Sequence, residues 1–308
     1  MGIGHYIKEI GRGKQGARAI DRAQAADLFG QVLDGTASDL EIGAFCLAMR
    51  IKGETPEEMA GFLDAAQTRM RRIPATSTPM VVLPSYNGAR KLPVLTPLLA
   101  LLLARSGRPV LIHGAATENN RVFVADVLQA LGIAPLAEIR AIEPGEVAFA
   151  PTALLSPALQ RLLDVRRVVG VRNSAHSLVK LMNPCEGPAV IVTSYTHPEY
   201  AVSMAAVLEL MGANAMLLRG TEGEPVADLR RVPRMEGFTG GVRTLLEEGR
   251  KGSLADVPEL PSDISAPATA AFIHEVLQGG RSIPESIGIQ VEHILRLCGQ
   301  SIPTMETA

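Results

Sequence analysis

Two kinds of patterning divide this sequence and predict an α/β protein with a small N-terminal all-helical domain. Over residues 1–73 apolar side chains recur at helical spacing behind recognisable caps. From Pro74 onward short apolar runs alternate with helical patterns, which implies a mostly parallel central sheet covered on both faces. Bulk agrees: 47% of the 308 residues are hydrophobic and mean hydropathy is +0.18, ample for a large core. The expected domains are residues 1–73, joined by a helix around 156–164, and residues 74–308.

The helical elements come first. Asp21 can cap a helix carrying Ala25, Leu28, Phe29, Val32 and Leu33, with Gly35 as a stop. Ser38-Asp39-Leu40-Glu41 is a capping box ahead of Ile42, Phe45, Ala48 and Met49. Thr55-Pro56-Glu57-Glu58 is a second box with Pro at the first helical position, followed by Met59, Phe62, Leu63 and Ala66.

The strand-like runs follow. Met80–Leu83, Pro109–Gly114, Val147–Phe149, Pro188–Thr193 and Ala215–Leu218 read as buried strands. Helices are predicted over Thr96–Arg105, Asn120–Leu131, Ser156–Leu163 and Glu199–Met211, then Pro267–Gln278 and Ile283–Leu297. Val226–Asp263 reads only as mixed short elements. Ligands of such sheets sit beyond the carboxyl ends of the strands. The segments expected at a site are therefore Ser85–Lys91, His113–Arg121, Tyr195–Pro198 and Arg219–Pro225, joined by the basic stretch Arg166–Asn183.

Several function classes are excluded or disfavoured. Cys46, Cys185 and Cys298 lie far apart with no C-x-x-C pair, which argues against a zinc ribbon or dithiol site and suits a reducing cytoplasm. The longest greasy run, Val94–Ala104, is too short to span a bilayer. The N-terminus lacks a signal-peptide pattern, so a cytoplasmic, non-membrane protein is expected. No G-x-S-x-G elbow is present. Net charge is −2, but the charges are segregated. Ala65–Thr117 holds no acid against seven bases, Val165–Cys185 none against four, and the chain from Glu222 onward holds thirteen acids against eight bases. A basic surface on one part of the molecule is one reading, and Arg and Lys stems lying over a helical surface the other.

Four segments resemble the anthranilate phosphoribosyltransferase family, in the glycosyltransferase family 3 group, over nearly the whole chain. They are Val110-Leu111-Ile112-His113-Gly114, Gly170-Val171-Arg172-Asn173-Ser174, Leu181-Met182-Asn183-Pro184, and a strand followed by Arg219-Gly220-Thr221-Glu222-Gly223-Glu224-Pro225. Their form is most similar to the YbiB-like branch of TrpD paralogues. The resemblance implies a phosphoribosyltransferase-like fold and a homodimer built through the helical parts.

The departures from the family pattern bear on function. The family's glycine-rich diphosphate loop, Gly-Thr-Gly-Gly-Asp, is matched by Tyr86-Asn87-Gly88-Ala89-Arg90-Lys91, with one glycine and two cations. The Lys and Asn flanking the family's His-Gly become Ile112 and Ala115, leaving His113 and Gly114 with Asn119 downstream. The adjacent Asp-Glu pair that holds magnesium is absent, and Glu222 and Glu224 are the weak substitutes. The family's anthranilate-binding Arg aligns with Arg172.

Lost acid and gained base suit a metal-free polyanion site. The resemblance to the YbiB-like branch implies sequence-nonspecific binding of the DNA or RNA phosphate backbone, without cofactor or transferase activity. Arg90, Lys91, Arg172, Lys180 and Arg219 are the expected phosphate contacts. Tyr86, Asn87, Gly88, His113, Gly114, Asn119, Asn183 and Glu222 are expected to line the pocket. The alternative is a phosphoribosyltransferase or phosphorylase-like enzyme using phosphoribosyl pyrophosphate and magnesium with an unknown acceptor, in which His113, Glu222 and Glu224 would be essential. Local roles stay open: His113 fits a structural hydrogen bond or a ligand contact, His176 a helix surface or polar lining, His197 a cap or packing, and Glu222 and Glu224 a metal or a solvated turn.

Overall fold

The computed structural model describes residues 2–13, 15–250, 252 and 259–299. Parts of the segment Val226–Asp263 and the last nine positions of the expected second domain lie outside the described residues. The helical part comprises α1 (Gly4–Ile10), α2 (Arg22–Leu33), α3 (Asp39–Lys52) and α4 (Pro56–Gln67). The rest runs β1 (Met80–Ser85), α5 (Thr96–Arg105), β2 (Val110–Gly114), α6 (Val124–Ala130), β3 (Val147–Pro151), α7 (Thr152–Leu155), α8 (Pro157–Val169) and α9 (Ala175–Leu178). It continues with β4 (Ala189–Tyr195), α10 (Pro198–Leu210), β5 (Ala215–Arg219), β6 (Met235–Thr239), β7 (Val242–Glu247), α11 (Ala266–Leu277) and α12 (Glu285–Leu297).

The predicted caps form as reciprocal boxes at Asp21/Gln24, Ser38/Glu41 and Thr55/Glu58. Inside the bundle, Phe29, Phe45 and Phe62 pack ring against ring at centroid distances of 4.8–6.3 Å. Helices α2 and α4 approach closely at Gly61, where an added Cβ would stand 2.3 Å from the Arg22 carbonyl oxygen and 2.8 Å from Ala25 Cβ. Gly61→Ala must push the two backbones apart, and we expect it to cost about 1–3 kcal/mol of stability, measured by urea unfolding. An unchanged midpoint would show that the helices can separate freely here.

Seven strands form one sheet in the order β3-β2-β1-β4-β5-β6-β7, with the first five parallel and β6 and β7 an antiparallel hairpin on one edge. Alternate strand residues serve two cores. Val82, Leu111, Ile191 and Leu217 join the helical bundle with α8 and α10 in one cluster. Val81, Leu83, Ile112, Val192 and Leu218 pack beneath α5, α6, α11 and α12 in the other. The bundle is thus one cover of the sheet, and α8 packs into it through Leu159, Leu162 and Leu163.

Besides the short helices α7 and α9 and the β6–β7 hairpin, which the sequence reading does not name, two helices differ from it. Helix α1 carries no sequence signal of its own, because its N-cap, Ile3, offers no side-chain acceptor and the helix has only seven residues. Helix α6 starts later than Asn120, because Val122 is held in a two-way backbone bridge with Ala89 and Asp126 caps back onto Phe123 N. Among the described residues no helix is long and apolar enough to cross a membrane.

Candidate functional site

The chain leaves β1 toward β2 and β3 on one side, while β4 and β5 lie on the other. The crevice between β1 and β4 is therefore the topological switch point, where the carboxyl-end loops diverge. A cleft of about 370 Å³ opens there between the bundle and the sheet. Its walls include Arg50, Glu54, Asn87, Arg172, Asn173, His176, Lys180 and His197.

An arginine cluster adjoins the cleft and reaches its lining through Arg172. The carboxylate of Glu118, in the loop after β2, accepts from Arg121 Nε at 2.9 Å, Arg166 Nη1 at 2.9 Å and Arg172 Nη2 at 3.0 Å. Arg90 Nη2 lies 3.7 Å away. Burial alone would raise the Glu118 pKa, but the hydrogen bonds from Arg166, Arg121 and Arg172 outweigh it and hold the carboxyl at about 2. Four guanidinium groups face one carboxylate, so the cluster carries excess positive charge. Two of the four are enclosed, Arg121 at 13% and Arg166 at 22% exposure, while Arg172 is half-buried and Arg90 exposed.

His176 sits beside this cluster, buried, with Nδ1 near Asn173 and no hydrogen-bond partner at Nε2. Burial, then Arg172 and Arg166, push its pKa down to about 4, so the ring is neutral at pH 7. Lys180 Nζ donates to the carbonyl oxygens of Gly223 at 2.9 Å and Ser194 at 3.3 Å. Desolvation lowers its pKa to about 8 against the opposing pull of Glu224. Across the cleft Glu54 accepts from Ser174 Oγ at 2.5 Å.

The loop after β1 meets the loop after β5. Glu224 Oε1 accepts from the backbone N–H groups of Asn87 and Gly88, both at 2.8 Å, and Oε2 from Ser85 Oγ at 2.5 Å. Glu222 accepts from Arg90 N at 2.6 Å and Lys91 N at 3.2 Å. These bonds set the loop-to-loop register and use the carboxylate oxygens that a cation would need.

The predicted residues therefore separate. Arg172, Lys180 and Asn87 reach the cleft. Lys180 is committed to main-chain carbonyls and Arg172 to Glu118, so neither is a free surface cation. Arg90, Lys91 and Arg219 carry exposed side chains at the carboxyl edge. Tyr86 and His113 are buried under the loop, joined by Tyr86 Oη to His113 Nδ1 at 2.8 Å and to Thr152 Oγ1 at 3.0 Å. Gly88 and Gly114 lie against backbone oxygens of Val122 and Ser85. Asn119 is exposed, and Asn183 faces a second cavity that also borders Gly187–Ala189 and Gly212–Asn214, at the amino edge of the sheet. His197 holds the N-cap position of α10 without a side-chain capping bond.

Sequence reasoning missed Glu118 and Glu54. The signal for Glu118 was present: it is the first acid after the long acid-free stretch ending at Thr117.

The comparisons with known proteins agree with this architecture. A family described as "Glycosyl transferase family, helical bundle domain" matches residues 5–70. The chain is 40% identical over 304 residues to the uncharacterized protein YbiB of Escherichia coli (strain K12), covering 96% of this chain and 94% of that one. The chain belongs to the TrpD-like members of glycosyltransferase family 3. Anthranilate phosphoribosyltransferase (TrpD) from Thermus thermophilus shares the fold with a TM-score of 0.74 at 22% identity, covering 96% of this chain and 89% of that one. The Saccharomyces cerevisiae enzyme in complex with PRPP and Mg superposes with a TM-score of 0.68 at 13% identity, covering 96% and 88%.

The magnesium of that complex can be tested against the side chains here. Glu222 and Glu224 spend their oxygens on backbone N–H and hydroxyl donors, and no group of three metal-binding side chains exists among the described residues. Magnesium asks for carboxylate and phosphate oxygens in near-octahedral geometry. The donor set does not fit the ion.

Proposed function

We propose that this TrpD-like chain is a phosphoribosyltransferase-like protein whose interdomain cleft binds a phosphorylated pentose. The observation that carries the reading is the arginine cluster that borders the cleft through Arg172, where Arg90, Arg121, Arg166 and Arg172 surround the single carboxylate of Glu118. Clustered cations in excess over their counter-charge are stabilised by an added anion, and guanidinium forks match phosphoryl oxygens. Family membership supports a pentosyl ligand, as does the bound phosphoribosyl pyrophosphate of the yeast structure.

Calorimetric titration with ribose 5-phosphate tests this. The expected result is saturable binding that falls about tenfold or more in Arg166→Gln/Arg172→Gln. Absence of binding to the wild-type protein would overturn it.

A second reading, binding of the DNA or RNA backbone, is favoured by the exposed side chains of Arg90, Lys91 and Arg219 at the carboxyl edge. Its signature is an oligonucleotide affinity that falls linearly in log salt, with a slope of about −0.7 to −0.9 per phosphate contact. Arg90→Ala/Lys91→Ala should then flatten the slope, and an unchanged slope would remove that loop from the interface.

A further inference from the structure

The junction between the β1 and β5 loops uses more chemistry than a structural contact needs. Four main-chain N–H groups, of Asn87, Gly88, Arg90 and Lys91, converge on the carboxylates of Glu222 and Glu224. Converging backbone N–H groups make a concave anion site. Hydroxyls add to it, since Ser85 Oγ donates to Glu224 at 2.5 Å and Thr96 Oγ1 lies 3.4 Å from the same oxygen. Two anions two residues apart thus fill one donor cradle, as the two phosphoryl groups of a diphosphate would.

The β5 loop is built to hold them there. Glu222 sits at φ +52°, the only non-glycine residue with positive φ among the described residues. At Gly223 an added Cβ would fall 1.8 Å from Asn87 Nδ2, and at Gly220 it would fall 1.9 Å from the Glu224 carbonyl oxygen. The Gly223 carbonyl oxygen is held twice more, by Lys180 Nζ at 2.9 Å and Ser194 Oγ at 2.8 Å. Strain of this kind persists where the surroundings over-determine it.

We infer that Glu222 and Glu224 are an intramolecular stand-in for a diphosphate. They close the cradle to free diphosphate and leave no carboxylate for its magnesium ion. The ligand of the cleft is then a phosphomonoester held by the arginine cluster, not a diphosphate ester. Only this last step rests on the pentose phosphate reading; the closed cradle stands on its own geometry.

Calorimetric titration of the full chain with sodium pyrophosphate, with and without magnesium chloride, tests the inference. Glu222 is partly exposed, so Glu222→Ala leaves amides that water can reach and should fold. Glu224→Gln keeps one acceptor oxygen for the buried donors and is the second variant. The wild-type protein should give little or no pyrophosphate binding. Glu222→Ala should bind about tenfold or more tightly, with no need of magnesium, and Glu224→Gln should move in the same direction.

If Glu222 and Glu224 were metal ligands, the signs would reverse: wild type would bind pyrophosphate with magnesium and the variants would lose it. That result overturns the inference, as does equal or absent binding in all three proteins. Ribose 5-phosphate is titrated in parallel. Its failure to bind any of the three overturns the pentose phosphate reading alone, whatever pyrophosphate does.

Discussion

Glu58→Ala is expected to cost about 3–5 kcal/mol of stability, the range for removing one partner of a buried ion pair. Glu58 is 0% exposed. Its Oε1 accepts from Ile20 N at 3.0 Å, and its Oε2 from Thr55 N at 2.9 Å and Lys52 Nζ at 2.6 Å. The side chain of Lys52 is only 9% exposed, so its ammonium cannot recover full hydration when the carboxylate is gone. Three segments lose their common anchor: the end of α3, the start of α4 and the chain entering α2. Glu58→Gln keeps an acceptor for one of the amides while losing the charge, and a smaller loss of about 1–3 kcal/mol is expected. Urea unfolding followed by circular dichroism reads both. A loss under about 1 kcal/mol for Glu58→Ala would show that water replaces the carboxylate and that the anchor is not buried in solution.

The same residue shows what is legible in the sequence and what is not. The capping box Thr55–Glu58 is a local pattern, because box partners are three residues apart by construction. The bonds from Glu58 to Ile20 and Lys52 depend on how helices pack, and no short spacing announces them. The division recurs across the molecule. The five parallel strands are legible because apolar runs bounded by turn residues carry their own signal. The β6–β7 hairpin is not, since β7 is largely exposed and its Val242-Arg243-Thr244-Leu245 lacks a buried face to mark it.

At the site, the four loop segments that follow strands do lie at the carboxyl edge, while Asn183 lies at the amino edge, and the roles within the loops shift. Arg90 and Lys91 read as cations in the sequence, yet it is their backbone N–H groups that make the loop's bonds to Glu222. Glu222 and Glu224 read as metal ligands or a solvated turn, whereas they accept main-chain hydrogen bonds across more than a hundred residues of sequence. Chain topology creates both facts, and local pattern holds neither.

Glu118 carries the other large effect, and it links stability to the site. Its pKa of about 2, against an ordinary 4.5, means that the folded state binds the proton more weakly than the unfolded chain. The stabilisation is therefore fully present above about pH 4.5 and is lost as pH falls toward 2. At about 1.4 kcal/mol per pKa unit it amounts to about 3 kcal/mol. Glu118→Gln should lose a similar amount at pH 7, and its stability should no longer carry this increment of decline between pH 4.5 and 2. The loss arises because Arg121, Arg166 and Arg172 would then repel one another without a counter-charge.

An external anion can take the place of the missing one. Inorganic phosphate should raise the melting temperature of Glu118→Gln well beyond its effect on the wild-type protein, by about 2.7 kcal/mol of stability when present at about a hundred times its dissociation constant. Scanning calorimetry at pH 7 over a phosphate series, with chloride matching the ionic strength, separates specific binding from general screening. Equal phosphate and chloride effects would make the cluster a structural tie and leave the pentose phosphate reading without its main support. A phosphate-specific rise would show that the guanidinium groups accept a phosphoryl group once Glu118 is neutral. Glu118 would then set the affinity of the cleft, because any phosphorylated ligand must share or take over the arginines that this carboxylate now holds.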